Sequence, residues 1–149
     1  MEHILKKIKE FNTIIIHGHI RPDGDCIGSQ YGLYYLIKAT YPEKNVIITG
    51  ESSDFVSFIG RPTILEDESL FDNALSICVD CATAERLSDT RFNQAKYSIK
   101  IDHHIPVDDY GNYQYVDTTA PACCQIITEF YEKFKDELVM TKEAALALY

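Results

Sequence analysis

Long apolar runs, a recognisable secretory leader and an excess of basic residues are all missing from the sequence. The longest uninterrupted aliphatic stretch covers residues 14–16, whereas a helix needs about 20 apolar residues to cross a bilayer. Residues 1–11 mix lysines with apolar residues at helical spacing, and no cleavage site of small residues follows them. We therefore expect neither a membrane span nor a secretory signal.

The balance of charge is strongly acidic. The chain has 14 basic and 23 acidic residues, which gives a formal net charge of −9. Such a surface repels a long polyanion, so we do not expect this chain to bind extended duplex nucleic acid. A small anionic substrate stays compatible with it, since carboxylates gathered around metal ions form a site that attracts phosphate.

What is present is the composition of one globular domain. Of the 149 residues, 46% are hydrophobic and 25% are charged, which is typical of a folded chain with room for a sizeable core. The five cysteines are an odd number in a chain for which no secretory signal is expected. We interpret them as reduced thiols and expect the protein to be cytoplasmic.

Helix and strand patterns alternate along the chain. An apolar stripe near the amino terminus predicts a first helix, and short apolar runs predict strands over residues 13–16, 46–49, 75–79, 97–101 and 113–116. Helices are predicted over residues 26–39 and 120–134, the second with Thr119 as N-cap and Pro121 in its first turn. A last helix is expected after Thr141. This alternation predicts an α/β fold, a parallel sheet with helices on both faces.

Polar clusters follow three of the predicted strands directly. They consist of carboxylates and imidazoles, in the order His19, Asp23 and Asp25, then Asp80, then Asp102, His103 and His104. The carboxyl ends of parallel strands meet at one edge of a sheet, where ligands bind. Mixed imidazole and carboxylate ligands suit Mn²⁺ before Mg²⁺. Two such ions at roughly 3.5–4 Å form a clamp for phosphoryl chemistry.

Each cluster also has a simpler interpretation. The first can be a Pro-Asp-Gly turn with solvated acids that joins a strand to a helix. Asp80 alone is typical of an N-cap, and two adjacent histidines can lie in a polar loop by chance. In favour of a site, the first turn of the helix predicted over residues 26–39 includes Ser29 and exposes backbone N–H groups, which favour an anion.

Taken together, the motifs resemble the DHH phosphoesterases, named for the Asp-His-His found here at residues 102–104. The stretch from His19 to Ser29 and the pair Val79-Asp80 match the family's other motifs in order and spacing. Within the family, the segments HIRPDGDCIGSQYGL, YPEKN and IDHH are most similar to a bacterial branch. That branch hydrolyses short oligoribonucleotides and 3′-phosphoadenosine-5′-phosphate (pAp).

The resemblance implies a metal centre with two Mn²⁺ ions, Mg²⁺ being an alternative. In that arrangement His19 and Asp23 ligate one ion, and Asp25 ligates the other. Asp80 bridges both ions, and His103 joins the second.

The resemblance also implies roles around the metals. His104 contacts the phosphate or the leaving group, and Asp102 orients the motif. Arg21 and Ser29 are expected to bind substrate. The expected substrates are short single-stranded RNA or a mononucleotide bisphosphate, with no membrane partner. The oligomeric state is left open, a dimer included.

We interpret residues 1–149 as a single amino-terminal catalytic domain. The family's fourth aspartate motif and its smaller carboxyl-terminal domain are expected beyond Tyr149. Residues 1–149 alone are therefore expected to show little turnover.

Rival interpretations share some of these residues. An inorganic pyrophosphatase or polyphosphatase of the same superfamily has a similar metal site. A zinc or redox module could use Cys78 and Cys81, or the adjacent pair Cys123 and Cys124, although buried thiols that act as small apolar residues explain these better. A third alternative is a non-catalytic domain that senses nucleotides or metals.

Overall fold

The computed structural model describes residues 1–149, and its centre is a five-stranded sheet. The strands are β1 (Thr13–His17), β2 (Asn45–Thr49), β3 (Ala74–Val79), β4 (Tyr97–Asp102) and β5 (Tyr113–Val116). All are parallel, and their order across the sheet is β2-β1-β3-β4-β5. The predicted α/β fold is confirmed, and every predicted strand agrees with the observed one to within one residue at each end.

One face of the sheet carries the main core. The α-helices are α1 (Glu2–Glu10), α2 (Gly24–Thr40), α3 (Cys123–Lys133) and α4 (Lys142–Leu148). Their apolar residues join alternate strand residues such as Ile14, Ile77 and Ile99 in one large cluster. The four α-helices therefore pack on the same side. None of them combines the length and the apolar character that crossing a bilayer requires.

The second face of the sheet is covered by short 3₁₀ helices and loops. The predicted helices on both faces are therefore α-helices on one face and 3₁₀ helices on the other. Phe71 and Phe92 come from the 3₁₀ helices Glu68–Phe71 and Thr90–Gln94. They belong to two small apolar clusters, one around Ile15 and one around Cys78. The same face also carries buried polar side chains, among them Lys100, which pairs with Cys78 across β3 and β4.

The helix predicted over residues 120–134 is shorter than expected. It begins at Cys123, and Pro121 lies before its first turn. Thr119 is not its N-cap, because the backbone N–H and the hydroxyl of Thr119 both donate to the carboxylate of Asp117. Thr119, predicted to cap the helix, instead belongs to a local turn with Asp117.

The last helix begins as predicted and packs closely on α2. The hydroxyl of Thr141 accepts from the N–H of Ala144 at 3.1 Å and so caps α4. A Cβ atom added to Gly28 in α2 would lie 2.5 Å from the carbonyl oxygen of Ala147. Glycine is therefore required at this crossing of two helices.

The chain changes direction within the sheet beside β1. From β1 it moves outward to β2, and then it returns to the other side of β1 to form β3. Parallel sheets bind ligands at the carboxyl edge of the strands next to such a switch point. The polar clusters that follow β1, β3 and β4 all lie at this edge.

Candidate metal centre

The first cluster follows β1 and leads into α2. His19 is buried and bridges to Leu87, and its Nδ1 lies 2.9 Å from the carbonyl oxygen of Ile20. When Nδ1 carries the proton in that contact, Nε2 is the free nitrogen of the ring. Nε2 lies 3.9 Å from Oδ1 of Asp23. Asp23 also caps α2, since Oδ1 accepts from the N–H of Cys26 at 3.0 Å.

Asp80 is the first residue after β3 and lies at the centre of the cluster. Its φ of +56° falls in the left-handed region, which residues with side chains rarely adopt. Its Oδ2 lies 3.5 Å from Nε2 of His19, and its Oδ1 lies 3.3 Å from Nε2 of His103. Oδ1 is buried and has no hydrogen-bond partner. A buried carboxylate held in strained backbone between two imidazoles is typical of a functional site.

The third cluster ends β4. Asp102 is fully buried, and its Oδ1 accepts from the backbone N–H of His103 at 2.9 Å. The same oxygen lies 2.7 Å from Nδ1 of His104, which leaves Nε2 of that ring free, and 43% of the His104 side chain is exposed. His103 has its Nδ1 3.2 Å from the carbonyl oxygen of Ala120 and its Nε2 3.4 Å from Oδ2 of Asp25.

Asp25, in the first turn of α2, connects the cluster to α3. Its Oδ2 accepts from the N–H of Cys123 and its Oδ1 from the N–H of Cys124, both at 2.8 Å. These are the first N–H groups of α3, which has no capping side chain of its own, so Asp25 replaces the cap. Ser29 is fully buried, with its Oγ 3.5 Å from Oδ1 of Asp25. This position supports Asp25 and argues against the expected contact between Ser29 and substrate.

The clustered side chains surround a pocket at the carboxyl edge of the sheet. Its volume is about 360 Å³, and its lining is mostly polar: His19, Asp23, Asp25, Asp80, Arg86, His103, His104, Pro121 and Ala122. Arg86 was not predicted as a site residue, because it ends the short 3₁₀ helix Ala84–Arg86 and has no motif around it. Arg21 is not part of the lining. Its side chain is exposed, and its backbone N–H donates to Glu51.

Without a cation, the cluster favours bound protons. Burial disfavours the charged form of His19, but hydrogen bonds with Asp80 and Cys26 outweigh burial and raise its pKa to about 11. Burial also raises the pKa of Asp80, an effect that His19 opposes and Asp25 reinforces. His19 therefore favours its protonated form beside Asp80, and a divalent cation bound to its ring would take the place of that proton.

The ligand atoms are grouped closely enough to hold metal ions. His19, Cys26 and Asp80 form one group and Asp80, His103 and His104 another, with the ligand atoms of each within 4.8 Å of one another. Asp80 belongs to both groups, and its Oδ1 lacks a partner. Imidazole and carboxylate donors around an unpaired buried oxygen fit a divalent cation.

The cysteines of the C-x-x-C pattern lie elsewhere. Cys78 and Cys81 are both buried in the small apolar cluster on the second face of the sheet. They belong to neither group of potential ligands. The structure therefore gives no support to a zinc module at these residues, and they act as small apolar side chains.

The N-terminal domain model of the DHH family matches residues 13–149 of this chain. The chain belongs to the DHH family. The resemblance carried by the motifs is therefore confirmed, and residues 102–104 are the Asp-His-His that names the DHH family.

Two curated relatives are similar to most of this chain. The probable bifunctional oligoribonuclease and PAP phosphatase NrnA of Streptococcus mutans is 40% identical over 98% of this chain and 46% of its own length. The bifunctional oligoribonuclease and PAP phosphatase NrnA of Bacillus subtilis is 38% identical over 89% of this chain and 42% of its own length. The chain thus spans a little under half the length of these relatives.

A solved structure shares the fold of this chain. The exopolyphosphatase-related protein from Bacteroides fragilis matches with a TM-score of 0.82 and 22% sequence identity. The match covers 99% of this chain and 47% of that chain. The arrangement of strands and helices described above is therefore shared at low sequence identity.

Proposed function

We propose that this chain is the metal-binding domain of a phosphoesterase that hydrolyses short single-stranded oligoribonucleotides, pAp, or both. The observation that carries the proposal is the position of Asp80, a buried carboxylate shared by two groups of potential ligands. The relatives at 40% and 38% identity are named for these two activities. Together they favour a two-metal phosphoesterase over a non-catalytic domain.

The proposed ligands divide between two Mn²⁺ positions, with Mg²⁺ as the alternative ion. His19 and Asp23 hold one position, and Asp25 and His103 hold the other. Asp80 would contribute to both, because its Oδ2 lies 3.5 Å from Nε2 of His19 and its Oδ1 lies 3.3 Å from Nε2 of His103. When bound, such a pair of ions activates water as a nucleophile and stabilises the leaving oxygen.

The remaining residues of the pocket orient the substrate. Asp102 fixes Nδ1 of His104, so Nε2 of His104 is available to a phosphate oxygen or to the leaving group. Arg86 is the one guanidinium in the lining and supplies a positive charge for the phosphate. We assign the role in substrate binding to Arg86 in preference to Arg21, whose side chain lies outside the lining.

The size of the pocket and the net charge of the chain favour small substrates. A pocket of about 360 Å³ accommodates one phosphate with its ribose, and the net charge of −9 opposes a long duplex.

We further propose a cytoplasmic enzyme whose intact form includes a fourth acidic ligand and a second, substrate-clamping domain. Residues 1–149 alone then turn over slowly, since positioning by that domain is absent.

The test is a release assay with Mn²⁺ on pAp, a dinucleotide, pyrophosphate and a long duplex. Residues 1–149 are assayed beside a longer protein, expressed from the gene with its reading frame continued beyond Tyr149. We expect hydrolysis of pAp and the dinucleotide by the longer protein, and a loss of about 100-fold or more in Asp80→Asn, because both metal positions lose their shared ligand. Asp136→Asn, a change at an exposed acid, is the matched control.

Two results would contradict the proposal. Preferred turnover of pyrophosphate would favour the pyrophosphatase alternative. Equal activity of Asp80→Asn and Asp136→Asn would show that the cluster is not the catalytic centre.

A further inference from the structure

The thiol of Cys26 lies inside the metal centre, although the proposed phosphoesterase chemistry does not require a sulfur ligand. Cys26 is in the first turn of α2 and is fully buried. Its Sγ accepts from the backbone N–H of His19 at 3.3 Å. This sulfur, a ring nitrogen of His19 and a carboxylate oxygen of Asp80 all lie within 4.8 Å of one another.

We propose that Cys26, His19 and Asp80 form a site for a thiophilic divalent cation, Zn²⁺, at the position proposed for the first Mn²⁺ ion. The inference rests on the proposed function in one respect, namely that the two cations compete for the same place.

The geometry suits a tetrahedral ion. Ligand atoms at zinc bond lengths of 2.0–2.3 Å lie about 3.5 Å apart at the corners of a tetrahedron. Nε2 of His19 and Oδ2 of Asp80 are already 3.5 Å apart. Nδ1 of His19 faces the carbonyl oxygen of Ile20, which fixes the ring and leaves Nε2 for the cation.

The chemistry of the thiol favours zinc over manganese. On binding, the S–H bond breaks, a metal–sulfur bond forms, and the proton leaves to the solvent. The N–H of His19 and the first turn of α2 then stabilise the thiolate. Thiolates prefer Zn²⁺ to the harder Mn²⁺.

The experiment uses Co²⁺ as a spectroscopic substitute for Zn²⁺ in residues 1–149. The wild-type protein should show a near-ultraviolet charge-transfer band from sulfur to cobalt. Cys26→Ala should lack the band, and Cys78→Ala, which removes a buried thiol outside the centre, should keep it. Zn²⁺ affinity, measured by competition with a chromophoric chelator, should fall about tenfold more than Mn²⁺ affinity in Cys26→Ala.

The outcomes separate this inference from the proposed function. If the wild-type protein binds Mn²⁺ but shows no cobalt band, or if the band survives in Cys26→Ala, the site proposed here is wrong and the metal centre stands. If Mn²⁺ binds neither to residues 1–149 nor to the longer protein, the proposed function fails. Cys26→Ser serves as a second variant should the alanine variant not fold, since it preserves size and removes the sulfur.

Discussion

We expect replacement of Lys100 by methionine to destabilise the fold strongly. Lys100 is fully buried on the second face of the sheet. Its ammonium donates to the carbonyl oxygens of Ala82 at 2.9 Å and Asp108 at 3.2 Å. It also lies 3.9 Å from Oδ2 of Asp102 and 4.6 Å from the centre of the Tyr110 ring. The ammonium thus holds together the loops that follow β3 and β4.

The magnitude follows from what the substitution leaves behind. Methionine has a similar length and fills most of the space, so packing changes little. The buried carboxylate of Asp102 loses its nearby cation, and removing one partner of a buried ion pair costs about 3–5 kcal/mol. Lys100→Met combined with Asp102→Asn removes both charges. We expect that double variant to lose about 2 kcal/mol less than the sum of the single variants.

The assay is equilibrium unfolding in urea with a metal chelator present, followed by circular dichroism. Lys96→Met, at an exposed lysine next to the same strand, is the control and should change the free energy of unfolding by less than about 0.5 kcal/mol. A loss below about 1 kcal/mol for Lys100→Met, or additive effects in the double variant, would show that Lys100 does not compensate Asp102.

Two further predictions concern other buried positions. Burial, opposed by Asp89, lowers the pKa of His17 from 6.5 to about 4. The unfolded chain therefore binds more protons between these values, and stability falls as the pH drops through this window, by about 3 kcal/mol. His17→Gln should flatten this dependence in urea titrations at pH 4–7, and an unchanged slope would contradict it. Gly28→Ala should cost about 1–3 kcal/mol in thermal denaturation, because its Cβ would meet the carbonyl oxygen of Ala147. Gly24→Ala, where the nearest atom is 3.9 Å away, should not share this loss.

The sheet and the location of the centre could be predicted because their signals are local. Short apolar runs ended by polar residues define β1, β3 and β4, and parallel pairing brings those ends to one edge. His19, Asp80 and His103 are thus placed together by the topology alone. The distances between these side chains and the left-handed backbone of Asp80 became known only from the structure.

The parts that could not be predicted depend on contacts between distant segments. Asp25 caps α3 across 98 residues of sequence, whereas the residues near that helix suggested an earlier start. Lys100 looks like an ordinary residue of a strand, and its burial becomes visible once the loops that accept its hydrogen bonds are in place. Arg86 reaches the pocket from a 3₁₀ helix that has no periodic pattern.

The Asp25 carboxylate caps α3 and also faces His103, so the proposed ligand set would link α3 thermodynamically to the metal centre. A cation that withdraws electron density from Asp25 weakens the two hydrogen bonds that hold the start of α3. By reciprocity, whatever fixes α3 more firmly alters cation affinity by the same factor. On the proposed ligand set, a cation in the centre would therefore change the stability of the first turn of α3, a helix that supplies none of the proposed ligands.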